Sequence, residues 1–438
     1  MKKALFYLAI TLLSCIAALS QTQYKILWNF PSTPTDGAVP IGSLILDKLG
    51  NLYGTTAGGG NDPSCPTLGG CGTVFELSPN GDGTWSETIL YSFCSNYSNG
   101  LCLDGAYPQA GLVIDGKGDL YGTTTYGGNQ QQNCGDSQGC GTAFKLSRPS
   151  PGGVWTEKVL YSFCQMTVVN NHCRDGGFPK SSLATDGAGN LYGTTSVGGS
   201  NIDNAGTVFK LSRGTKGWTE TVIYNFCSLG KGNRVCPDGA LPIAGVTFDK
   251  LGNLYGTTQA GGWKYAGGKG LVYKLTPGVN GWTETVVYRL PLSGKEGAEP
   301  MAPVVFDSLG NLYGNAFAGG EFGQGVLFKL SPKNGGKVRT YSFNLHDGAT
   351  PQSALVVDSR SGGVYGSAFT GGTNTFGAIF KMTAPAQETV LYNFCQQQNC
   401  ADGSLPNGII LDKSGNIFGT TQVGGPSNEG VLFEIIPE

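Results

Sequence analysis

A four-part pattern of apolar and polar positions repeats along the chain. Its first copy consists of apolar or alternating runs at Ser43–Leu46, Asn51–Thr56, Gly72–Leu77 and Trp85–Phe93. Each run is rich in β-branched and aromatic residues and is bounded by glycine, proline, asparagine or aspartate, which is typical of β-strands and turns. The chain is therefore predicted to be all-β, with four strands in each repeat.

The second run is the clearest marker of the repeat. It reads GNLYGTT at Gly50 and returns, with small changes, at Gly118, Gly189, Gly252, Gly310, Gly362 and Gly415. Each copy is followed by a Gly-Gly pair and then by a third run of the type GTVFKLS. Seven copies of a four-stranded antiparallel unit predict a seven-bladed β-propeller.

The two ends of the chain carry incomplete copies of the repeat. The segment 24–30 (YKILWNF) resembles the fourth run of the other repeats, whereas the last repeat stops after its third run. We expect residues 24–30 to supply the fourth strand of the last blade. This pairing would close the ring and cover strand edges that otherwise promote aggregation.

Residues 1–20 have the character of a signal peptide. Lys2 and Lys3 precede an apolar stretch at Ala4–Leu13, and Ala18–Ser20 fits the small-x-small cleavage pattern. We therefore predict that residues 1–20 are removed and that residues 21–438 form one propeller domain. The expected location is secreted, extracellular or periplasmic. No apolar run after residue 20 is long enough to span a membrane.

Cysteine spacing supports export. Twelve of the 13 cysteines lie after residue 20 and fall into six close pairs. An even number of closely paired cysteines in an exported chain predicts disulfides. The predicted bridges are Cys65–Cys71, Cys94–Cys102, Cys134–Cys140, Cys164–Cys173, Cys227–Cys236 and Cys395–Cys400. With no Cys-x2-Cys motif and only two histidines, neither a metal centre nor a cofactor is expected.

The small number of charged residues and the small net charge limit the kinds of molecule that the protein is expected to bind. Charged residues make up 13% of the chain and the net charge is −2. This composition does not indicate binding to nucleic acid or to an anionic membrane. The expected partner is a glycan, a peptide or a cell-surface protein, and the expected state is a monomer.

Acidic residues recur at two turn positions. An aspartate closes the first run of every copy, where its side chain is expected to accept backbone N–H groups of the turn. A second acid, followed by glycine, precedes the proline that opens each inner strand. For this second position we consider a proline-stiffened turn and a ring of carboxylates that contacts a ligand or cation.

The loops predicted to share one face are longer in the first four blades. Function is often carried by variable loops on a rigid scaffold, and aromatic side chains beside polar groups suit glycans or peptides. For Trp263 and Tyr265 the alternative is that they cap their own blade. The predicted ligand-binding residues are Tyr97, Tyr126, His172, Arg174, Arg234, Trp263, Lys264 and Tyr265.

No catalytic motif accompanies these loops. The chain has no G-x-S-x-G, H-E-x-x-H or P-loop motif, so no catalytic residue is predicted. The favoured function is a binding or interaction module. Two alternatives stay open: a propeller lyase or hydrolase acting on a polysaccharide or lactone-like substrate, and a structural envelope protein.

The paired motifs GNLYGTT and GTVFKLS, repeated through residues 24–438, resemble those of the GloVer tandem-repeat family of exported bacterial proteins. The resemblance implies an extracellular or envelope repeat protein. It implies no established activity and therefore no catalytic residue. Many members of that family end in an anchoring domain, whereas this sequence ends within its last blade.

Overall fold

Burial follows the position of each strand within its blade. The second strand is covered on both faces, so that all five residues of Leu191–Thr195 are buried. The outer strand alternates between half-buried and exposed side chains, as along Gly281–Arg289. Burial decreases from the inner to the outer strands because neighbouring blades pack against both faces of the inner strands, whereas the outer strand is exposed to solvent along its edge.

The computed structural model describes residues 22–437 except 32, 34, 61–64, 66–68, 130–137, 151–152, 167–172, 201–203, 231–234, 265–266, 332–335 and 384–386. The predicted signal peptide 1–20 lies outside this range. The described chain forms seven four-stranded antiparallel blades around a central axis. The predicted seven-bladed β-propeller is confirmed.

Each blade runs from an inner strand at the axis to an outer strand at the rim. In that order, blade 1 consists of Ile45–Leu46, Leu52–Gly59, Thr73–Pro79 and Trp85–Ser92, and Gly37–Pro40 also pairs with Leu52–Gly59. Blade 2 consists of Val113–Ile114, Leu120–Thr124, Thr142–Ser147 and Thr156–Ser162, and blade 3 of Ala184–Thr185, Leu191–Thr195, Thr207–Gly214 and Gly217–Asn225. Blade 4 consists of Thr247–Phe248, Leu254–Thr258, Leu271–Gly278 and Gly281–Arg289.

Blades 5 to 7 complete the ring. Blade 5 consists of Val305–Phe306, Leu312–Ala316, Val326–Ser331 and Lys337–Ser342. Blade 6 consists of Val356–Val357, Val364–Ala368, Ala378–Thr383 and Gln387–Asn393, and blade 7 of Ser404–Leu411, Ile417–Val423, Val431–Ile436 and Gln23–Asn29. Outside the blades lie a short hairpin, Tyr97–Ser98 with Leu101–Cys102, and a 3-10 turn at Gln398–Cys400.

The predicted closure of the ring is confirmed. The N-terminal strand Gln23–Asn29 pairs antiparallel with Val431–Ile436, from Gln23 opposite Ile436 to Asn29 opposite Val431. Blade 7 therefore combines three strands from the end of the chain with one from its beginning. Each of the two segments covers an edge of the other.

The hydrophobic cores lie between neighbouring blades and contain edge-to-face contacts between aromatic rings. The ring of Phe163, at the end of the outer strand of blade 2, meets Phe209 of blade 3 with centroids 5.0 Å apart. Phe209 itself crosses over Gly193 of the motif LYGTT, where an added Cβ would lie 2.5 Å from the ring. The glycine of this motif is therefore required by the aromatic packing.

A backbone latch joins each blade to the next. The residue before each inner-strand proline has a positive φ between 50° and 59°. Its N–H group donates to a carbonyl of the preceding blade. The N···O distances are 2.8–3.1 Å, and the pairs of donor and acceptor residues are Val39 and Glu429, Tyr107 and Cys71, Phe178 and Cys140, Leu241 and Ala205, Glu299 and Lys269, Thr350 and Gln324, and Leu405 and Phe376.

The glycine that opens each third strand completes the latch. Gly141 has a φ of +94°, and a Cβ there would lie 2.5 Å from the carbonyl oxygen of Thr124 and 2.7 Å from Pro179 of the next blade. The proline ring thus packs directly against a bare backbone. Only glycine combines this conformation with this close approach.

Replacing Gly141 with alanine is expected to destabilise the protein by about 3 kcal/mol, because backbone strain and steric overlap act together. Urea unfolding followed by circular dichroism measures the change. Gly187→Ala is the matched control, since Gly187 has no atom within 4 Å of an added Cβ. An equal effect of the two substitutions would contradict the latch.

Disulfides brace the loops that project from the face carrying the latches, which we call the upper face. Five of the six predicted bridges are present: Cys65–Cys71, Cys94–Cys102, Cys164–Cys173, Cys227–Cys236 and Cys395–Cys400. Cys140 is also disulfide-bonded, and its predicted partner Cys134 lies outside the described residues.

Candidate functional site

The predicted ligand-binding residues of blades 1 to 3 occupy different environments. Tyr97 is exposed in the short hairpin of the loop between blades 1 and 2, and Arg174 is exposed in the next such loop. Tyr126 is half-buried, with its ring 5.5 Å from Tyr107 and 5.6 Å from Phe178, both in edge contacts. We call Tyr107, Tyr126 and Phe178 the aromatic shelf.

The predicted residues of blade 4 lie on the same face. Trp263 is half-buried, and its Nε1–H donates to the carbonyl oxygen of Leu290 in its own blade at 2.9 Å. This contact matches the capping alternative for Trp263. Lys264 is exposed. The predicted residues His172, Arg234 and Tyr265 lie outside the described residues.

The inner strands enclose a central channel that the predicted site residues did not include. Its cavity has a volume of about 530 Å³. The residue that follows each inner-strand proline points to this channel mouth. These residues are Ile41, Gln109, Lys180, Ile243, Met301, Gln352 and Asn407. In otherwise similar repeats this position varies from blade to blade, and that variation was the available sequence signal.

The channel mouth is polar and nearly uncharged. Among the described residues that line the channel, Lys180 alone carries a charge. The side-chain amides of Gln109, Gln259, Gln352 and Gln422 supply further donors and acceptors around the channel. A ligand at this position therefore meets several neutral hydrogen-bonding groups and one cation.

Asn407 has a structural role at the channel mouth. Its Nδ2 donates to the carbonyl oxygen of Pro40 at 2.6 Å, across the junction between blades 7 and 1. Its Oδ1 accepts from Nε2 of Gln422 at 3.0 Å. The side chain is buried, so that it holds the ring closed and positions Gln422.

Two residues of the aromatic shelf are connected to the channel mouth through the chain. Tyr107 is two residues before Gln109, and Phe178 is two residues before Lys180. The latch holds Tyr107 and Phe178 at φ values of 54° and 55°. The latch conformation therefore sets the positions of Tyr107 and Gln109 at blade 2 and of Phe178 and Lys180 at blade 3. The upper-face loops of these blades are long.

The second recurrent acid is a turn residue. Asp104 accepts hydrogen bonds from the Tyr91 hydroxyl at 2.7 Å and from the Ser95 backbone N–H at 2.9 Å. Asp175 and Asp402 are held in the same way and are fully buried. Of the two interpretations, the structure supports the turn, because these carboxylates are occupied and inaccessible.

A glutamate of the outer strand faces this turn acid across five junctions between blades. Because these side chains are buried and face the acid of the preceding blade, their carboxyl pKa values are raised. The pKa is raised to about 9 for Glu87, about 8 for Glu157 and Glu220, and about 7 for Glu284 and Glu388. We call these five residues the seam glutamates.

Glu220 is the most enclosed seam glutamate. Its side chain is 4% exposed, and neither carboxyl oxygen has a hydrogen-bond partner. Burial is the main cause of its raised pKa, and the charge of Asp175 adds to it. A carboxylate is costly at such a position, so that the protonated form is favoured.

The first recurrent acid organises the hairpins of the lower face, opposite the loops. Oδ1 of Asp186 accepts from the backbone N–H groups of Ala188 and Asn190, at 2.9 and 3.0 Å. Oδ2 accepts from the Asn190 amide and the Tyr192 hydroxyl. Burial opposes ionisation, but these hydrogen bonds hold the pKa of Asp186 below its ordinary value. The predicted turn role is what the structure shows.

Two neighbouring disulfides pack sulfur against sulfur. Cys71 Sγ lies 4.0 Å from Cys102 Sγ, so the bridges of two successive loops form one buried unit in blade 1. Among the described residues, groups of three or more possible metal-ligating side chains consist of cysteines in disulfides alone. A sulfur in a disulfide is not a thiolate ligand.

No helix within the described ranges combines the length and apolarity needed to cross a membrane.

The C-terminal part of the chain matches a known family of repeats. Residues 250–438 match the family model of the Gloeobacter/Verrucomicrobia repeat. The match confirms the resemblance to the GloVer family that the motifs GNLYGTT and GTVFKLS indicated. A search of the curated proteins gave no match to the chain.

Three solved structures show distant similarity to the chain. An α-L-arabinanase of Penicillium chrysogenum, complexed with arabinobiose, is 12% identical, with 95% of this chain and 99% of that one covered and a TM-score of 0.49. A protein of unknown function from Dyadobacter fermentans is 12% identical, with 96% and 99% covered and a TM-score of 0.45.

A 6-phosphogluconolactonase candidate from Bacteroides uniformis is 13% identical, with 82% of this chain and 87% of that one covered and a TM-score of 0.45. At these identities and TM-scores, the similarities assign no function to this chain.

Proposed function

We propose that this protein is an exported binding module that holds a glycan at the channel mouth on the upper face. The observation that carries the proposal is that Lys180 and several side-chain amides line one channel cavity. Two aromatic residues of the shelf, Tyr107 and Phe178, lie two positions before Gln109 and Lys180 along the chain. A cavity of about 530 Å³ lies within the range of small-ligand sites.

The chemistry of this site matches a sugar with one acidic group. Side-chain amides of Gln109 and Gln352 offer donors and acceptors to hydroxyl groups. The half-buried rings of Tyr126 and Phe178 would offer apolar surface to the C–H faces of a sugar that extends beyond the channel mouth. Lys180 supplies one positive charge, which suits the carboxylate of a uronic acid.

Export is part of the same proposal. Five disulfides in the described chain support folding in an oxidising compartment. We place the mature start at Gln21, after the predicted signal peptide. Tyr97, Arg174 and Lys264 are exposed on upper-face loops and would extend the contact surface for a longer glycan.

The distribution of unusual carboxyl groups favours binding over turnover. Catalytic acids and bases are expected as clustered groups with shifted pKa values inside a cleft. The carboxyl groups with strongly raised pKa values are the seam glutamates on the outer strands. None of them is among the residues that line the central channel.

Lys180→Gln is expected to weaken binding of a uronic-acid oligosaccharide at least about tenfold, because a charged hydrogen bond contributes about 1.5–3 kcal/mol. Binding of neutral oligosaccharides should change little. A glycan array on the oxidised protein selects the ligands, and isothermal titration calorimetry measures affinity. Lys117→Gln, on a lower-face hairpin, is the matched control.

The outcomes separate the candidate functions. Absence of glycan binding, or equal affinity of the Lys180→Gln and Lys117→Gln variants for acidic glycans, would overturn the proposed site. Mass spectrometry of the bound glycan after incubation detects cleavage. Release of shorter products would favour the lyase or hydrolase alternative, and a lack of any ligand would favour a structural role in the envelope.

A further inference from the structure

A tryptophan begins the outer strand in each of the first four blades and covers the preceding blade. The four residues are Trp85, Trp155, Trp218 and Trp282. The indole of Trp218 lies 6.3 Å from the ring of Tyr121, and that of Trp282 lies 6.1 Å from Tyr192. These indoles seal the lower ends of the interfaces between blades.

Blade 5 has glycine at this position. In blade 2, Leu146 pairs with Glu157, two residues after Trp155. In blade 5 the corresponding pair is Leu330 with Val338, two residues after Gly336. The interface between blades 4 and 5 therefore lacks the indole that the preceding four interfaces contain.

The missing indole leaves apolar surface uncovered. Leu27, Leu90 and Leu160 of the outer strands pack in clusters with the tryptophan of the following blade, and each is 8% exposed. Val287 is the equivalent residue of blade 4 and is 39% exposed. Val287 has no tryptophan of the following blade beside it, because blade 5 has glycine at that position.

A groove occupies this place on the lower face. Its volume is about 680 Å³, and Tyr255, Val287 and Phe306 line it. Leu251 and Leu309, at the tips of two adjacent hairpins, also line it and are 85% and 66% exposed. Most of the lining is apolar and aromatic, unlike the amide-rich channel, and the groove continues into the interface between blades 4 and 5.

We propose that this groove binds a tryptophan side chain of an extended segment in a partner protein. The chain itself shows which group fits, because four equivalent positions are filled by an indole at the start of an outer strand. A tryptophan buries a large apolar area and is a frequent anchor of protein interfaces. The groove lies on the face opposite the channel mouth, so this proposal is independent of the glycan site.

The probe is a capped peptide with the sequence GWTETVV, which copies residues 281–287 of this chain. Isothermal titration calorimetry on the oxidised full chain should give one site, with affinity at least about tenfold higher than for the peptide GATETVV. The comparison isolates the indole because the remaining residues are identical.

Leu309→Glu should lower the affinity for GWTETVV at least about tenfold, because it places a charge on the wall of the groove. The matched control is Leu49→Glu. Leu49 is an equally exposed hairpin leucine, 72% exposed, beside an interface where Trp155 already packs. This control should bind the peptide like the unmodified protein.

Trp218→Gly should create a second groove between blades 2 and 3 and raise the stoichiometry from one peptide to two. Equal affinities for GWTETVV and GATETVV, or unchanged binding in Leu309→Glu, would overturn the proposal. If Trp218→Gly does not fold, the comparison of Leu309→Glu with Leu49→Glu decides the question.

Discussion

A chain that begins at residue 31 is expected to lose about 6–10 kcal/mol of its free energy of unfolding and to aggregate. In the deleted segment Leu27 and Phe30 are buried, whereas Tyr24, Ile26 and Trp28 are half-buried. A fully buried side chain of this size contributes about 1.5–3 kcal/mol and a half-buried one about half as much. Typical domains are stable by only about 5–15 kcal/mol. Losing this one strand should therefore bring the ring close to unfolding at 25 °C.

The contacts of the strand explain this dependence. Tyr24 stacks on Tyr392 with ring centroids 4.0 Å apart, and its hydroxyl donates to the carbonyl oxygen of Asp402 at 2.6 Å. At the other end, Phe30 meets Phe75 of blade 1 at 5.3 Å. Deletion would also expose the edge of Val431–Ile436, whose unpaired backbone groups promote association between chains.

Urea unfolding and size-exclusion chromatography check the expectation against a chain that begins at residue 22, which retains the strand. A synthetic peptide of residues 22–30 added to the shorter chain should restore part of the stability. Equal midpoints for the two chains would show that the closure contributes little.

The protein is expected to be several kcal/mol more stable near pH 5 than near pH 9. The seam glutamates have folded-state pKa values of about 7 to 9, above the ordinary value of 4.5. A raised pKa means that the folded state holds the proton more tightly. The stabilisation is therefore complete below about pH 4.5 and is lost as the pH rises through 7 to 9.

Glu220→Gln tests the part of this effect that comes from the most enclosed seam glutamate. The amide keeps the shape of the protonated carboxyl group but cannot ionise, so the variant should exceed the unmodified protein by about 2–4 kcal/mol at pH 9 and match it near pH 5. Urea unfolding at pH 5, 7 and 9 gives the comparison.

Glu321→Gln is the control for this series because Glu321 is exposed on an upper-face loop. It should follow the pH dependence of the unmodified protein. A Glu220→Gln variant with that same dependence would show that Glu220 is already ionised in the fold, contrary to its burial.

Sequence periodicity predicted most of the architecture because each strand type recurs with the same residues. The motif LYGTT predicted the buried second strand, and the similarity of residues 24–30 to the outer strands predicted the closure. Both follow from local pattern alone. The inner strands of blades 1 to 6 have only two residues each. In blade 1 the strand is Ile45–Leu46 instead of the expected 43–46, because the preceding residues turn at the latch and line the channel.

The candidate site was less accessible to sequence analysis. Lys180 and Gln109 became neighbours of the channel only through the closure of the ring, since distant residues converge there. Trp263 was identified by residue type, but its contact with Leu290 appears only in three dimensions. The burial of Glu220 was equally hidden, because W-T-E alternates like any half-buried strand and the covering acid comes from another blade.

By itself, the sequence determined the all-β class, the number of blades, the N-terminal closure and the pairing of nearby cysteines, because these depend on periodicity and on short separations along the chain. Tertiary structure alone decided which residues line the channel, how the latches join successive blades, which glutamates are buried and where the missing indole leaves a groove. These features depend on contacts between different repeats, and the sequence of one repeat does not show which side chains of the neighbouring repeat pack against it.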